Sequence, residues 1–224
     1  MRVVSLVPSL SETLDSWGLR PVAVTRFCDL AGVTRVGGTK DPDLEAIVAL
    51  APDLVVLDEE ENRREDYEAL VEWGLHVHAC AVRDLGDVER ELGALADVLG
   101  HDWVPPRFPP RRSLARRVVV PIWRRPWIAL GAPTYATSLL AHLGYENVLA
   151  DAGPYPHLEL AAMARARPEL VLAPSEPYPF SKRHRAELET VAPVRFVDGR
   201  DLFWWGARTP AAMTRLGRAL DSSL

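Results

Sequence analysis

Cysteine is scarce in this chain, with only Cys28 and Cys80. No CxxC pair exists, so a structural zinc site cannot be built from thiols alone. The spacing does not determine a disulfide between them, and reduced thiols are expected. Long apolar runs are missing too. Nothing approaches the ~20 residues that span a bilayer, so the chain is not expected to be membrane-embedded. Positive charge is in deficit, with a net charge of −5. That excludes a general nucleic-acid binder, which needs a basic face to displace counterions. There is no G-x-S-x-G elbow, Walker loop or H-E-x-x-H, so a catalytic reading starts with little support. Met1-Arg2 runs straight into Val3–Val7 with no separate apolar region and cleavage site, which predicts a cytoplasmic protein.

What is present is a folding unit that occurs twice. Leu44, Ile47, Val48 and Leu50 lead into Pro52-Asp53-Leu54-Val55, as Leu160, Met163 and Ala166 lead into Pro168-Glu169-Leu170-Val171. Each is a helix that stops at proline and feeds a buried strand. The opening also repeats. Val3–Leu6, Pro8-Ser9 and a helix to Gly18 answer Ile128–Leu130, Pro133-Thr134 and a helix to Gly144. The fold class is therefore α/β: two small lobes of strand–helix–strand units joined by a connecting segment, with a ligand cleft between them.

The first lobe is expected over residues 1–100. Its strands fall at Val3–Val7, Val22–Val24, Leu54–Leu57 and His76–Ala79, and its helices at Ser11–Trp17, Leu44–Leu50, Arg63–Trp73 and Leu85–Leu99. Ser9 or Ser11 would cap the first helix, and Asp41-Pro42-Asp43 starts the second. Residues 101–117 form a connector that Pro105-Pro106 and Pro109-Pro110 keep from being one helix. Seven arginines and no acids lie between Arg107 and Arg125. They read as a solvated basic stretch resting on acids of the Asp84–Glu91 helix, or as an anion or partner contact. The second lobe, 118–224, has strands at Val118–Ile122, Trp127–Leu130, Val171–Ala173 and Val194–Val197. Its helices are Tyr135–Leu143, Leu158–Ala166, Lys182–Val191 and Pro210–Leu220.

Ligands collect at the carboxyl ends of parallel strands. In the first lobe those ends offer Pro8, Ser9, Phe27, Cys28, Asp29, Glu60, Asn62 and Arg63. In the second they offer Trp123, Tyr135, Tyr155, His157, Tyr178, Trp204 and Trp205. Aromatics dominate the second set, which suits a planar or bulky ligand. Adjacent residues in extended backbone face opposite ways, so Trp204 and Trp205 are not both expected in one core. Cys28, in a polar loop, and His157 are the candidate axial or metal ligands. Cys80 reads as a core residue. His76 and His78 share a strand face that reads as an edge or satisfied core position. Asp58-Glu59-Glu60-Glu61 reads as a solvated strand-end loop, with cation attraction or a partner contact as the alternative.

Val3–Ser9, Gly37-Gly38-Thr39-Lys40-Asp41-Pro42-Asp43-Leu44-Glu45-Ala46-Ile47, Pro52-Asp53-Leu54-Val55, Tyr155-Pro156, Pro168-Glu169-Leu170-Val171 and Trp204-Trp205-Gly206 together resemble the helical-backbone metal-receptor family. These are class III substrate-binding proteins of ABC importers for cobalamin, haem and iron-siderophores. The resemblance runs in order over nearly the whole chain. It implies two Rossmann-like lobes bridged by one long helix, and cleft positions at Pro8-Ser9, Phe27–Asp29, Glu60–Arg63, Tyr155-Pro156 and Trp204. It also implies an acid on each lobe facing the permease. Glu65 lies near the first such position, whereas the second falls at Gly206. The bridging stretch here is short and proline-broken, and the export signal usual in that family is not seen.

The leading expectation is a non-catalytic binding protein that requires no cofactor and holds a corrinoid, haem or ferric chelate. Its partners would be the small-molecule ligand, an ABC permease and, given the short connector, a second copy of the chain. The alternatives are a cytosolic metal-dependent enzyme using Cys28, Asp29, Glu60 and His157, and a partner-binding module whose cleft has degenerated.

Overall fold

The structure is a computed structural model that describes residues 1–221. The chain forms two compact units. One comprises Met1–Val82, Asp87–Pro105 and Trp205–Ala207; the other comprises Arg83–Gly86, Pro106–Trp204 and, of the described residues, 208–221.

In the first unit, β1 (Val3–Ser5), β2 (Ala23–Val24), β3 (Thr34–Arg35), β4 (Leu54–Asp58) and β5 (Val77–Cys80) form one sheet. The order is β3-β2-β1-β4-β5 and all pairs are parallel. The helices α1 (Pro8–Ser16), α2 (Leu44–Ala49), α3 (Arg64–Glu72) and α4 (Leu85–Leu99) alternate with the strands. Every residue of β1 and β4 is buried, as expected of parallel strands covered on both faces. Val4, Leu6, Ile47, Val55, Leu57 and Leu70 make one core cluster.

Helix starts show how local chemistry sets this order. Pro8 itself opens α1, and Val7 precedes it without a side-chain cap. Ser9 and Ser11 are therefore not caps. Ser11 instead donates back to the Val7 carbonyl at 2.9 Å. By contrast, Asp43 caps α2 by accepting from the Ala46 N–H at 3.0 Å. Asp43→Ala should destabilise the protein by about 1 kcal/mol in urea titration, the ordinary value of a lost N-cap.

The second unit contains β6 (Arg116–Val119), β7 (Pro121–Trp123), β8 (Ile128–Ala129), α5 (Tyr135–His142), β9 (Tyr145–Asn147), α6 (Leu160–Arg165), β10 (Leu170–Pro174), α7 (Arg185–Leu188), β11 (Val194–Val197), α8 (Gly199–Phe203) and α9 (Thr209–Asp221). A parallel sheet runs β11-β10-β6-β9. The expected single strand Val118–Ile122 is broken at Val120, so β6 enters the sheet while β7 pairs antiparallel with β8 outside it.

The repeat holds, in a different register from the one expected. Ala51 and Arg167, each directly before a proline, adopt positive φ of 43° and 52°. This turns the chain sharply at the end of α2 and of α6. The acid after each proline then pairs with the entry to a neighbouring strand. Asp53 N–H donates to the Arg2 carbonyl at 2.8 Å, and Arg2 N–H donates to the Asp53 carboxylate. Glu169 N–H donates to the Arg117 carbonyl at 2.8 Å, and Arg117 N–H donates to the Glu169 carboxylate at 2.7 Å. The counterpart of β1 is thus β6, not the segment Ile128–Leu130.

Between α4 and β6 the chain carries no helix or strand. Arginines between residues 107 and 125 have partners within the second unit. Arg112 pairs with Asp221 at 2.8 Å, Arg117 donates to the Ala166 and Arg167 carbonyls, and Arg124 pairs with Glu187 at 2.8 Å. Asp87 and Glu91 instead pair with Arg90 of their own helix. Among the described residues no helix is long and apolar enough to cross a membrane.

Candidate functional site

At the carboxyl end of β4 the chain turns sharply, and side chains make the turn. The Asn62 amide oxygen accepts from the Asp58 N–H at 2.9 Å, while its amide nitrogen donates to the Leu6 and Thr39 carbonyls. Asp58 Oδ1 accepts from the Glu60 and Glu61 N–H groups at 2.9 and 3.1 Å. Asn62, a sequence candidate, is thus a buried organiser of the loop that presents Glu60 and Arg63. Glu60 and Arg63 are themselves exposed. The Arg63 guanidinium forms a two-pronged pair with Asp66 at 2.9 and 3.0 Å.

Beside this turn lies a cavity of about 670 Å³ lined by Leu57, Asp58, Glu59, Asn62, Arg63, Arg64, Tyr67, Glu68 and Ala79. That size fits a small-molecule site. Asp58 was read from sequence as part of a solvated acidic run, yet only 3% of it is exposed. Burial pushes its carboxyl up to about 7, against the opposing pull of the two N–H donors. Glu61 is raised as well, again by burial first.

Elsewhere in the first unit Pro8 opens α1, and Ser9 is buried in its first turn. Phe27 is 52% exposed, with the Arg26 guanidinium 4.9 Å above its ring and held by Asp41. Cys28, placed by sequence in a polar loop, is buried, with its sulfur 3.3 Å from the hydroxyls of Ser11 and Thr25. Asp29 is exposed. Cys80 is a core residue whose thiol is pushed well up by burial, and so is unreactive. His78 is half-buried, with Nε2 enclosed and unbonded, and burial lowers its pKa.

The second unit gathers its aromatics in two places. Trp123, 43% exposed, meets Tyr178 edge-on at 5.7 Å. Tyr178 in turn packs on Phe180 at 4.7 Å and His184 at 5.5 Å. Phe180 stacks on Trp127 at 6.1 Å. Trp127 and His184 were not among the sequence candidates, whereas Phe180 lies in the strand-end loop Glu176–Phe180 that the sequence offered. The periodicity of Tyr178-Pro179-Phe180 around proline was the available signal.

Trp204 forms the second place. The Arg200 and Arg208 guanidiniums lie 4.8 and 5.4 Å from its ring centre. Asp201 fixes Arg208 at 2.9 Å and Arg215 at 2.6 Å. Trp204 is half-buried, whereas Trp205 is buried. Tyr135 is also buried, its hydroxyl 3.2 Å from that of Thr209, so it supports the fold rather than facing solvent. Tyr155 is 42% exposed, and His157 is exposed while bridging to Ile128 through backbone. Among the described residues no group of three or more His, Cys, Asp or Glu side chains is placed to hold a metal ion.

Two parallel α/β units, each with polar and aromatic loops at the carboxyl ends of its strands, share their fold with solved periplasmic binding proteins. The vitamin B12-binding protein of Vibrio cholerae superposes with a TM-score of 0.76 at 18% identity, covering 98% of this chain and 96% of that one. The periplasmic haem-binding protein of Roseiflexus sp. RS-1 gives 0.74 at 19% identity, covering 97% of each. In sequence, the vitamin B12-binding protein of Salmonella typhimurium is 25% identical over 189 residues, 76% of this chain and 71% of the relative. No protein-family model matches the chain. The resemblance to class III substrate-binding proteins drawn from the sequence is borne out, and the relatives are named for binding rather than for catalysis. Gly206, where that resemblance leads one to expect an acid facing a permease, has φ of 136°, and a Cβ there would collide with the Thr13 hydroxyl. Any side chain at this position is therefore excluded without a local shift. Glu65 is exposed in the first turn of α3.

Proposed function

We propose that this chain is a non-catalytic substrate-binding protein whose ligand is a corrinoid, haem or ferric chelate. The carrying observation is similarity to vitamin B12-binding proteins over three quarters of the chain, together with a fold that matches such proteins over nearly all of it. The proposed ligand residues are Pro8, Ser9, Phe27, Asp29, Glu60, Asn62 and Arg63 at strand ends of the first unit. In the second they are Trp123, Tyr155, His157, Tyr178 and Trp204. His157, exposed on its loop, stands as the candidate axial ligand to a bound metal chelate, whereas the buried Cys28 turns to Ser11 and Thr25 and is withdrawn from that role. The buried Tyr135 and Trp205 serve by holding these loops in place.

An ABC permease is the proposed partner, met through the face that carries Glu65, and a homodimer remains within this reading. The descriptions of the solved neighbours as periplasmic favour an extracytoplasmic place of action over the cytoplasmic one expected from the first residues. Large, fixed aromatic faces bind planar ligands at small entropic cost. Trp204→Ala should therefore weaken the ligand by about tenfold, the ordinary value of one stacking face. Absorbance titration with cyanocobalamin, dicyanocobinamide and haemin measures this. Failure of the wild-type protein to bind any of the three would overturn the reading.

A further inference from the structure

We propose that His184 is a positioning residue of the second unit: as a neutral imidazole it holds Tyr178, and through it Trp123, and acid loosens that hold. The inference rests on the binding-protein reading only in that these two rings belong to the proposed site.

His184 closes the 3-10 turn Lys182–His184 that leads into α7, and it is 5% exposed. Its Nδ1 accepts from the Ser181 N–H at 3.0 Å, while the His184 N–H donates to the Ser181 carbonyl at 2.9 Å. A side chain three residues into a helical start thus reaches back to the N–H that precedes the turn. Glutamate or glutamine ordinarily does this. Those side chains still accept a hydrogen bond when the solution turns mildly acidic. Histidine does not. A neutral imidazole has one accepting nitrogen and one N–H, whereas the protonated ring has two N–H groups and no acceptor.

The other nitrogen faces the aromatic cluster. Nε2 lies 3.4 Å from the Tyr178 hydroxyl and 3.2 Å from Nε of Arg183. The Ser181 N–H is backbone and already occupies Nδ1, so Nε2 carries the hydrogen and donates it to the Tyr178 oxygen. Arg183 is exposed and can turn to water. Tyr178 also packs edge-on against the His184 ring at 5.5 Å, and Trp123 meets Tyr178 at 5.7 Å. A proton added at Nδ1 would face the Ser181 N–H in an enclosed space, donor against donor. The ring would have to leave, and Tyr178 would lose its bond and its packing face together.

The surroundings favour the neutral ring. Burial lowers the His184 pKa first, Arg183 on its own turn and Arg124 from the β7–β8 turn act in the same direction, and Glu187 of α7 opposes them. Glu187 is itself paired with Arg124 at 2.8 Å. An opened turn exposes an ordinary imidazole, which takes up a proton below about 6.5. The closed ring refuses that proton, so opening gains ground as pH falls below this value.

Amide hydrogen exchange of the full chain, read by NMR at pH 7.5 and pH 5 without ligand, tests the proposal. The Ser181 amide should lose protection by about tenfold at pH 5. The Phe180 amide, which donates to the Pro174 carbonyl at 3.2 Å, should follow it, while amides of β10 keep their protection. Imidazole nitrogen shifts should place the hydrogen on Nε2 at pH 7.5. His184→Gln supplies an acceptor that does not titrate, and should restore protection at pH 5. His184→Phe keeps a ring without either nitrogen, and both amides should exchange quickly at both pH values. Equal protection of Ser181 at the two pH values in the wild type, or the same loss in His184→Gln, overturns this inference and leaves the binding-protein reading intact. Failure to bind cyanocobalamin, dicyanocobinamide or haemin overturns that reading, while the exchange result still decides the role of His184.

Discussion

Asp201→Ala should lower the unfolding free energy by about 3 kcal/mol, the scale expected when one partner of a buried ion pair is removed. The Asp201 side chain is 5% exposed and accepts from Arg208 and Arg215. Burial pushes its carboxyl up, and the hydrogen bonds from Arg215 and Arg208 more than offset this, leaving it below the ordinary carboxylate range. Arg215 is half-exposed and can turn to water. Arg208 is 14% exposed and cannot readily do so, which is why most of the cost falls on it. Urea denaturation provides the measurement, and a loss below about 1 kcal/mol would show the network to be as weak as a surface pair. Because Arg208 also covers Trp204, the same substitution should loosen the ring and blue- or red-shift its emission, whereas Arg215→Ala should leave the emission unchanged.

Asp58→Asn should do the opposite at neutral pH and above: it should stabilise the protein. Burial raises the folded carboxyl to about 7, well above its ordinary value of 3.8. Below pH 4 it is protonated in both folded and unfolded chains and carries no penalty. Between pH 4 and 7 the unfolded chain has lost the proton that the folded chain keeps, so stability falls as pH rises. Above 7 both forms are ionised and the full burial cost stands, on the order of 4 kcal/mol. Asparagine keeps an oxygen for the Glu60 and Glu61 N–H groups without that charge. The stability difference between variant and wild type should therefore grow from pH 4 to pH 7 and level off beyond. Parallel denaturation curves across that range would refute it.

Much of the fold was legible because its long elements carry strong patterns. Leu85–Leu99 and Val194–Val197 occur with the bounds expected of them. The start of α2 follows from Pro42 and Asp43, as the sequence pattern predicts. Short elements left too little signal. Thr34–Arg35, exposed at both residues, and Tyr145–Asn147 are two and three residues long. Nor did Gly199–Phe203 read as helix, because a glycine begins it and the Asp198 cap was the lone cue. At the candidate site the aromatic loops were visible in the sequence, but burial was not. A strand covered on both faces shows no alternation, so nothing marks Asp58 as its last enclosed residue rather than the first solvated one. Cys28 misled in the reverse direction. Its neighbours Arg26, Phe27 and Asp29 are exposed, while the cysteine turns inward to Ser11 and Thr25.

The borders of the two sheets govern how this chain can meet others. β3 offers two residues of open ladder, and β5, the opposite border, is a four-residue strand that carries His78. In the other sheet β9 turns the charge of Glu146 to solvent. None of these is a long, flat, apolar margin onto which a foreign strand could zip. Association along these three margins would accordingly have to proceed by side chains meeting side chains.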